Sequence, residues 1–327
     1  MVVKFRTFGF NCYNVAFCPH LPQFIGCVSS QNYGIAGSGA LYVLEIMNTH
    51  FGPDIDCKHV FPSNGDPLYD LCWSECHPNI MWTVSANGFI QVWDLSNTSI
   101  DIPIHVMRGH SREIYAINWS PNTCDSQHVL TVSSDSTVKV WDVLTTQLVN
   151  TFLGHESIVY SGQWSPFIPQ TFATTSGDST LKLWSLKQSQ PLLNIRVSLG
   201  EVLSCDWNKF NHFLMTTSDT NGAINVWDIR SAANPMRTLS GHSKAAKCVK
   251  FSPHRQSVIG STSYDMTTRL WDINTNDGLL FTSQQHSEFV FSLDFNRHIN
   301  DQIVDCSWDQ FIHVFSYSPQ FVSINRL

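Results

Sequence analysis

Two sets of residues in this sequence have the types that a serine hydrolase uses for catalysis. Each set has a histidine followed, further along the chain, by a serine and an aspartate. The two sets are His110, Ser133 and Asp135, and His155, Ser176 and Asp178. In a hydrolase the histidine takes the proton of the serine hydroxyl and the aspartate orients the histidine. An enzyme needs one such centre, whereas a repeated arrangement indicates a structural role, so we predict that the protein is not an enzyme.

Two other groups of residues resemble ligand-binding motifs, and each lacks an element that binding requires. The glycine-rich string GIAGSG at 34–39 suits a phosphate only if a helix follows it, and the next residues, ALYVL, favour a strand. Cys72, Cys76 and His77 suit zinc, but no second pair of ligands completes a tetrahedral site. The other cysteines are scattered, which is typical of reduced thiols in an intracellular protein. We therefore expect neither a cofactor nor a metal ion.

The composition favours a soluble protein whose partner is not a nucleic acid. The 327 residues are 43% hydrophobic and 14% charged, and the formal net charge is -7. Domains that bind nucleic acid are usually basic. So low a content of charge indicates apolar surface that is buried or used for partners. The chain has no long apolar run and its N-terminus is too polar for a signal peptide, so we expect a cytosolic location.

A segment with a strand-like pattern that ends in Trp-Asp, or in a close variant, recurs along the chain. Strong copies are FIQVWDL, TVKVWDV, TLKLWSL, AINVWDI and TTRLWDI, and weaker copies are ALYVLEI and FIHVFSY. Each follows an apolar run that ends in an aromatic anchor. The anchors are Phe17, Trp73, Trp119, Trp164, Trp207, Phe251 and Phe295. Their spacings of 56, 46, 45, 43, 44 and 44 residues predict seven repeats built from strands.

A third recurring unit, Gly-His, precedes the anchors at 109–110, 154–155 and 241–242. Together the three units resemble the WD-repeat family, and GHESIVYSGQWSP followed by SGDSTLKLWS matches its signature almost residue for residue. The resemblance implies an all-β fold, a single seven-bladed β-propeller domain over 1–327 with four-stranded blades around a channel. The N-terminal VVKFRTF is expected to close the ring as the outer strand of the last blade, because the chain ends soon after that blade's third strand.

The same resemblance assigns the apparent catalytic sets to a hydrogen-bond network inside each blade. In the WD-repeat family a histidine, an aspartate, a serine or threonine and the tryptophan of one blade hold the Asp-bearing turn on the inner strands. A buried polar network with all members satisfied makes the fold rigid. The last repeat keeps His286 and Asp309 but has Phe315 in place of tryptophan. The network residues implied here are His110, Asp135, Trp141, His155, Asp178, Trp184, His242, Asp265 and Trp271.

The face that carries the turns between second and third strands is the candidate binding surface, because partners of WD-repeat propellers most often meet it. Residues six and four positions before each anchor are expected to point into this face, together with the residue before the turn aspartate. They combine apolar and aromatic side chains with a few carboxylates, as protein-binding hot spots do. The predicted peptide-binding residues are Tyr13, Asp66, Tyr69, Glu113, Tyr115, Ile158, Tyr160, Glu201, Leu203, Tyr264, Phe289 and Trp308.

In this fold the string GIAGSG becomes the enlarged turn between the second and third strands of the first blade. Ser38 stands where other blades carry the turn aspartate, so the turn lacks the histidine–aspartate pair and needs glycines to hold its backbone. The turn begins near Tyr33 and lies on the candidate face. We expect it to form the lip of a peptide groove.

Several longer strings resemble one family of WD-repeat proteins more closely. QNYGIAGSGALYVLE, LSCDWNKFN and DCSWDQFIHVF are similar to strings in the receptors for the type 2 peroxisomal targeting signal. The resemblance implies recognition of a helical signal on cargo proteins, of the form Arg/Lys, Leu/Val/Ile, five residues, His/Gln, Leu/Ala. It also implies a co-receptor peroxin, a peroxisomal docking complex, and cycling between cytosol and peroxisome.

The signal has a basic residue and apolar residues, and the candidate face offers a place for each. We expect Glu113 and Glu201 to meet the basic residue. The residues expected to take its leucines are Tyr69, Tyr115, Ile158, Tyr160 and Leu203.

A second hypothesis comes from the string Trp227-Asp228-Ile229-Arg230. It resembles the Trp-Asp-x-Arg motif by which many WD-repeat substrate adaptors dock on a cullin-RING ubiquitin ligase. The motif is short, and an arginine two residues after Trp-Asp often arises by chance. The adaptor function is therefore the alternative to the receptor function.

Overall fold

The repeating unit is an antiparallel sheet of four strands. The computed structural model describes residues 2–50, 52–63, 65–96, 101–121 and 128–317, so Cys124 and both ends of the predicted 1–327 domain lie outside the described residues. The strand Val202–Trp207 is buried over its whole length, because neighbouring blades cover both of its faces. No helix in the described part of the chain is long and apolar enough to cross a bilayer.

The strands in chain order are β1 (Val2–Arg6), β2 (Asn11–Phe17), β3 (Phe24–Ser30), β4 (Gly39–Thr49), β5 (Gly52–Pro62), β6 (Leu68–Trp73), β7 (Ile80–Ser85), β8 (Phe89–Asp94), β9 (His105–Arg108), β10 (Ile114–Trp119), β11 (His128–Ser133), β12 (Val138–Asp142), β13 (Leu148–Phe152), β14 (Val159–Trp164), β15 (Thr171–Ser176), β16 (Thr180–Ser185), β17 (Gln188–Arg196), β18 (Val202–Trp207), β19 (Leu214–Asp219), β20 (Ile224–Asp228), β21 (Arg237–Leu239), β22 (Ala246–Phe251), β23 (Val258–Ser263), β24 (Thr268–Asp272), β25 (Leu279–Ser283), β26 (Val290–Phe295), β27 (Gln302–Ser307) and β28 (Phe311–Ser316). A short 3-10 helix, Asn32–Gly34, lies between β3 and β4.

These strands form seven sheets, which we number as blades in the order of their anchors. Blade 1 is β2 to β5, each following set of four strands forms the next blade up to blade 6, and blade 7 has the order β1-β28-β27-β26. The innermost strand of each blade ends at its anchor. We call the face with the turns between second and third strands the upper face, and the face with the loops after the anchors the lower face. The predicted seven-bladed propeller is confirmed.

The N-terminal strand closes the ring. Strand β1 pairs antiparallel with β28, in a register that places Val2 opposite Phe315 and Arg6 opposite Phe311. The first strand of the chain therefore becomes the outer strand of the last blade, as predicted. Pairing covers the edge that β28 would otherwise expose.

The tryptophan anchors join neighbouring blades and so explain why the sequence has many tryptophans. Trp164 donates from Nε1 to the backbone oxygen of Asn118 in the preceding blade at 3.1 Å. Trp207 does the same to Gln163 at 3.0 Å. Trp73, Trp164 and Trp207 thus each bury a large ring between two sheets and satisfy its one polar group there.

Carboxylates on the channel wall add a second link between blades. Asp70 in blade 2 accepts a hydrogen bond from the backbone N–H of Ile117 in blade 3 at 2.7 Å, and Asp206 accepts one from Phe251 at 2.8 Å. Burial raises the pKa of Asp70 to about 7. The channel that the inner strands enclose has a volume of about 750 Å³ and opens on the upper face.

Candidate functional site

The hydrogen-bond network of blade 4 is complete. Nδ1 of His155 lies 2.7 Å from Oδ2 of Asp178, and Nε2 lies 2.8 Å from Oγ1 of Thr174. Trp184 donates from Nε1 to the same threonine oxygen at 2.8 Å. The histidine thus donates from Nδ1 to the carboxylate and accepts the threonine hydroxyl proton at Nε2. Tryptophan, threonine, histidine and aspartate form one chain that holds the turn on the inner strands.

Blades 3 and 6 repeat this chain. Its members are His110, Thr131, Trp141 and Asp135 in blade 3, and His242, Ser261, Trp271 and Asp265 in blade 6. Burial alone would raise the pKa of Asp178, but hydrogen bonds from His155 and Thr180 outweigh burial and hold that pKa well below its usual range. Burial lowers the pKa of His155, so its ring is neutral at pH 7. The groups satisfy one another inside the blade, which is a structural role.

The serines of the two apparent catalytic sets bind backbone oxygens instead of the histidines. Ser133 donates its hydroxyl to the carbonyl of Glu113 at 2.8 Å, and Ser176 donates to that of Ser157 at 3.3 Å. A serine that donates to a carbonyl has no base to take its proton. The structure therefore does not assemble the Ser-His-Asp sets that the residue types suggested.

Blade 7 carries a charged variant of the network. Asp305 stands in place of the threonine, so that His286 lies between two carboxylates, with Nε2 3.0 Å from Asp305 and Nδ1 2.9 Å from Asp309. Burial alone would lower the pKa of His286, but the charges of these carboxylates raise it to about 9. His286 is therefore an imidazolium at neutral pH.

His286, Asp305 and His313 also form a grouping whose ligand atoms are close enough for a metal ion. The two histidine rings are stacked, however, with centroids 4.0 Å apart and planes inclined by 12°. The lone pair of an imidazole nitrogen lies in the plane of its ring, and two nearly parallel planes about 4 Å apart do not bring their lone pairs onto one ion, as a metal requires. Cys72 is buried and Cys76 is exposed, so the pair that resembled a zinc motif does not share one environment either.

Seven aromatic side chains line the upper mouth of the channel, and we call them the aromatic basin. They are Tyr13, Tyr69, Tyr115, Tyr160, Tyr264, Phe291 and Trp308. The four tyrosines of blades 1 to 4 stand in a row, with successive ring centroids 4.9, 5.8 and 5.4 Å apart. This row forms a continuous apolar wall whose hydroxyl groups add polar edges.

Blades 6 and 7 form the other side of the basin. Phe291 and Trp308 are stacked with centroids 4.5 Å apart, and Tyr13 packs against both, at 5.0 and 5.7 Å. Phe289 stacks on Tyr264 at 4.7 Å and extends the basin toward the rim. Residues from six blades, all except blade 5, thus meet in one apolar surface.

Two carboxylates flank the basin and are oriented by hydroxyl groups. Tyr160 donates to Oε2 of Glu201 at 2.8 Å, and Ser134 donates to Glu113. The hydrogen bond from Ser134 lowers the pKa of Glu113, which keeps the side chain ionised. A carboxylate has four lone-pair sites, so each glutamate keeps acceptor capacity for a ligand.

Two residues of the basin are missing from the sequence-based site, Lys247 and Phe291. Nζ of Lys247 lies 5.8 Å from the ring centroid of Tyr160 and 5.6 Å from that of Phe291. Both residues occupy the position four before an anchor, so the spacing rule includes them, although the list of predicted peptide-binding residues does not. Lys247 adds a positive charge at the base of the basin, which favours the rim carboxylates as the place for a basic ligand group.

The remaining predicted residues lie at different depths. Leu203 lines the channel but is only 6% exposed, and Asp66 is 8% exposed with its Oδ1 buried. Ile158 is partly buried at the rim, where its carbonyl accepts the N–H of Gly177 at 2.9 Å. The structure therefore groups the aromatic residues with Glu201 and Glu113, and it places Asp66 beneath the rim.

The glycine-rich turn of blade 1 closes one side of the basin. Tyr13 donates its hydroxyl to the backbone oxygen of Tyr33 at 2.6 Å, and Tyr69 donates to that of Gly34 at 3.1 Å. Asn32, Tyr33 and Gly34 have φ of 46°, 56° and 68°, the left-handed region. A Cβ at Gly34 would lie 2.5 Å from the hydroxyl of Tyr13, so this position requires glycine. Strand β4 follows the turn, where a phosphate site would need the N-terminus of a helix.

Arg230 of the Trp-Asp-x-Arg string lies on the lower face, away from the basin. Its guanidinium pairs with Asp228 at 2.5 Å, and Cζ lies 4.2 Å from the ring centroid of Phe213. The side chain is 60% exposed. It is therefore accessible to a partner protein.

Comparisons with known proteins agree with the repeat structure. The model of the WD domain, G-beta repeat, matches residues 55–94, 101–142, 146–185, 190–228 and 233–272. A peroxisomal targeting signal 2 receptor from Mus musculus is 50% identical over 95% of this chain and 95% of that protein. The protein of that name from Homo sapiens is 51% identical over 88% and 87%, and peroxisome biogenesis protein 7 from Arabidopsis thaliana is 41% identical over 94% and 95%.

Among solved structures, the WD40 beta propeller domain of Doa1 superposes with a TM-score of 0.78 over 97% of this chain and 96% of that chain, at 19% identity. Identity this low supports the fold alone. The sequence relatives are named as receptors, which confirms the prediction of a protein that is not an enzyme. The chain belongs to the WD-repeat family and, within it, to the family of peroxisomal targeting signal 2 receptors.

Proposed function

We propose that this protein is a receptor for the type 2 peroxisomal targeting signal and that the signal binds as a helix on the upper face. The observation that carries the proposal is the aromatic basin with Glu113 and Glu201 beside it. The mouse and human relatives, at 50% and 51% identity, are named as receptors for this signal. An amphipathic helix with a basic residue needs apolar surface next to negative charge, which this face offers.

The pattern of the signal fits a surface of this kind. Consecutive residues of a helix are rotated by about 100°, so positions one, two, eight and nine of the nine-residue pattern fall within about 120° of one another. The same segment is roughly 12 Å long, since each residue adds about 1.5 Å. The row of four tyrosines, with rings 4.9 to 5.8 Å apart, covers a comparable distance.

The charges of the face favour one placement of the helix. The basic residue of the signal pairs with Glu113 and Glu201, which hydroxyl groups already orient. Lys247 repels that residue from the centre of the basin. The leucines of the signal then lie over Tyr69, Tyr115 and Tyr160, where their apolar surface is buried from solvent.

Binding of a fluorescent signal peptide to the purified protein tests the proposal. In Glu113→Lys we expect the affinity to fall by at least about 30-fold, because truncating one side of a desolvated charge pair costs roughly 2–5 kcal/mol. The melting temperature should stay within about 2 °C, since Glu113 is at the surface. Wild-type affinity in this variant would contradict the assignment of Glu113.

Glu156→Lys is the matched control, because Glu156 is an exposed carboxylate in the turn after His155, whereas Glu113 directly precedes the strand that carries Tyr115 of the basin. It should bind the peptide as the wild type does. A wild-type protein that does not bind the peptide, alone or with cell extract added, would contradict the receptor function itself. The two outcomes separate the site from the function.

We also propose that the cargo-bound receptor works with a co-receptor peroxin and a peroxisomal docking complex, and that it cycles between cytosol and peroxisome. The names of the relatives, which include peroxisome biogenesis protein 7, support a role in this process. The cell fraction that contains the protein should shift from cytosol to peroxisomes when cargo is abundant. Fractionation with and without expressed cargo measures this shift, and an unchanged distribution contradicts the cycling.

A further inference from the structure

One repeated position on the lower face differs between neighbouring blades. In blades 1, 6 and 7 the third residue after the anchor is a histidine that donates from Nε2 to a backbone oxygen of the next blade. The pairs are His20 with Ser74 at 3.0 Å, His254 with Asn296 at 2.8 Å, and His298 with Pro19 at 2.8 Å. These hydrogen bonds join the lower loops of adjacent blades.

Blades 4 and 5 carry phenylalanine at this position, and a phenylalanine cannot make that hydrogen bond. Phe167 is 43% exposed and Phe210 is 49% exposed, with Ile168 next to them in the blade 4 loop at 37%. The ring of Phe167 lies 6.0 Å from that of His212 in the blade 5 loop, so the two loops are in contact. We call Phe167, Ile168, Phe210 and His212 the lower patch.

The backbone beneath the lower patch is held by local hydrogen bonds from its N–H groups to nearby side chains. Oγ of Ser165 accepts the N–H groups of Phe167 and Ile168 at 3.3 and 3.0 Å, and Oδ1 of Asn208 accepts that of Phe210 at 2.9 Å. The apolar rings are thus presented in a fixed arrangement. A partner that covers them loses little conformational entropy on this side.

Three cations, Lys187, Lys209 and Arg230, lie in the loops around the lower patch, although the protein has a net charge of -7. Lys209 pairs with Asp206 at 2.7 Å, and Arg230 pairs with Asp228 at 2.5 Å. Arg230 still keeps 60% of its side chain exposed, beside Phe213. Lys187 is exposed and has no ion pair within the described part of the chain, so it leaves one positive charge beside the patch without a carboxylate.

We propose that the lower patch is a second docking surface, which binds an acidic amphipathic segment of another protein. Apolar side chains of the segment cover Phe167 and Phe210, and its carboxylates lie toward Lys187 and Arg230. Too few cations are free for the alternative, an anionic membrane, because each basic residue adds only about 1 kcal/mol there. The patch and the basin are on opposite faces, so both partners bind at once.

A synthetic helix with leucines on one side and glutamates on the other, labelled with fluorescein, tests this proposal by fluorescence anisotropy. It should bind the wild-type protein saturably, whereas the same helix with lysines in place of glutamates should not. The double variant Phe167→Ser, Phe210→Ser should weaken binding by at least about tenfold, and Lys187→Glu by less. Leu144→Ser is the control, because Leu144 is 82% exposed in a lower turn of blade 3, outside the patch.

Binding of the signal peptide at the upper face shows in each variant that the propeller is intact, and it should not change. The proposal fails if the acidic helix does not bind, if the lysine helix binds as well, or if the double variant binds like the wild type. It also fails if vesicles of phosphatidylcholine and phosphatidylserine, and not the acidic helix, bind in a way that the double variant abolishes. That last result would assign the patch to a membrane.

Discussion

The blade networks and the aromatic basin use similar polar residues and differ in where the hydrogen bonds go. In blade 4, His155 and Asp178 direct their hydrogen bonds to each other and to neighbouring groups of the same blade. Glu113 and Glu201 each accept a hydrogen bond from one hydroxyl group, and a carboxylate has further acceptor sites beyond that one. The first arrangement stabilises the fold, and the second is available to a ligand.

This difference follows the repeat itself. The network residues recur in blades 3, 4 and 6, whereas the residues four positions before the anchors change from tyrosine to leucine, lysine and phenylalanine. The networks are present in several blades because each of these blades needs one for its own stability. The residues of the basin differ between blades, and together they give the upper face one distinct surface. Changes in the networks should therefore lower stability, and changes in the basin should lower affinity.

Removal of the closing strand should have the largest effect on stability and none on the basin. Deletion of residues 1–8 removes the five residue pairs between β1 and β28. We expect the melting temperature to fall by at least about 10 °C, which corresponds to several kcal/mol. Lys4→Ala keeps the strand and is the control. Below its own melting temperature the truncated protein should still bind the signal peptide, and an unchanged melting curve would contradict the role of β1.

Asp178→Ala should destabilise the protein without lowering its affinity for the signal peptide. The change leaves the N–H of His155, the backbone N–H of Glu156 and the hydroxyl of Thr180 without their acceptor, which costs about 3 kcal/mol in free energy of unfolding. Asp142→Ala is the control, because the hydrogen bonds that this aspartate accepts from Thr145 are exposed and lie in a surface turn. Urea unfolding measures the difference, and a loss of affinity larger than the loss of stability would mean that the network also serves binding.

More of the fold could be predicted from the sequence than of the side-chain contacts within the fold. Seven anchors at a regular spacing predict the blades, and a missing outer strand in the last repeat predicts the closure by β1. The network partner of His110 could not be chosen by spacing, since Thr131 and Ser133 are two residues apart on one strand and point to the same side. Strand register places Thr131 beside the histidine.

The charged cluster of blade 7 should make stability fall in alkaline solution. The pKa of His286 is raised from 6.5 to about 9 by Asp305 and Asp309 against the effect of burial. A raised pKa contributes stability that is complete below pH 6.5 and is lost as the pH rises through 9, up to about 3 kcal/mol. Asp178 has the opposite sign, because its lowered pKa contributes stability that is lost in acid.

Asp305→Thr sharpens this contrast, because it gives blade 7 the hydroxyl group found in blade 4. The alkaline loss of free energy of unfolding, measured in urea between pH 6.5 and pH 9, should largely disappear in this variant. An equal loss in both proteins would assign the alkaline effect to other groups.

Tyr160→Phe should have the smallest effect, and only on binding. It removes the hydroxyl that orients Glu201 and keeps the aromatic ring, so we expect a loss of affinity of about fivefold at unchanged melting temperature. Tyr115→Phe is the control, because the hydroxyl of Tyr115 orients no carboxylate within the described part of the chain. Titration of both variants with the signal peptide gives the comparison, and equal affinities would remove Glu201 from the site.

The extent to which each residue of the site is buried could not be predicted from the sequence. The spacing rule leads to Tyr69 and Tyr115 because alternate residues of an inner strand point to the same side. Asp66 lies seven positions before its anchor, an odd offset, and the structure buries it beneath the rim. The spacing rule also includes Lys247, but spacing gives no distance between side chains of different blades, and the structure places its Nζ 5.8 Å from the ring of Tyr160 and 5.6 Å from that of Phe291.

In the proposed complex, the carboxylates beside the basin bind the basic residue of the signal. The most direct measurement is the affinity of Glu113→Lys and of the wild type for two peptides, the signal and a version with glutamate in place of its basic residue. The wild type should prefer the basic peptide, and Glu113→Lys should bind the glutamate peptide at least about tenfold more tightly than the wild type does. Equal affinity of the two proteins for the glutamate peptide would contradict the claim.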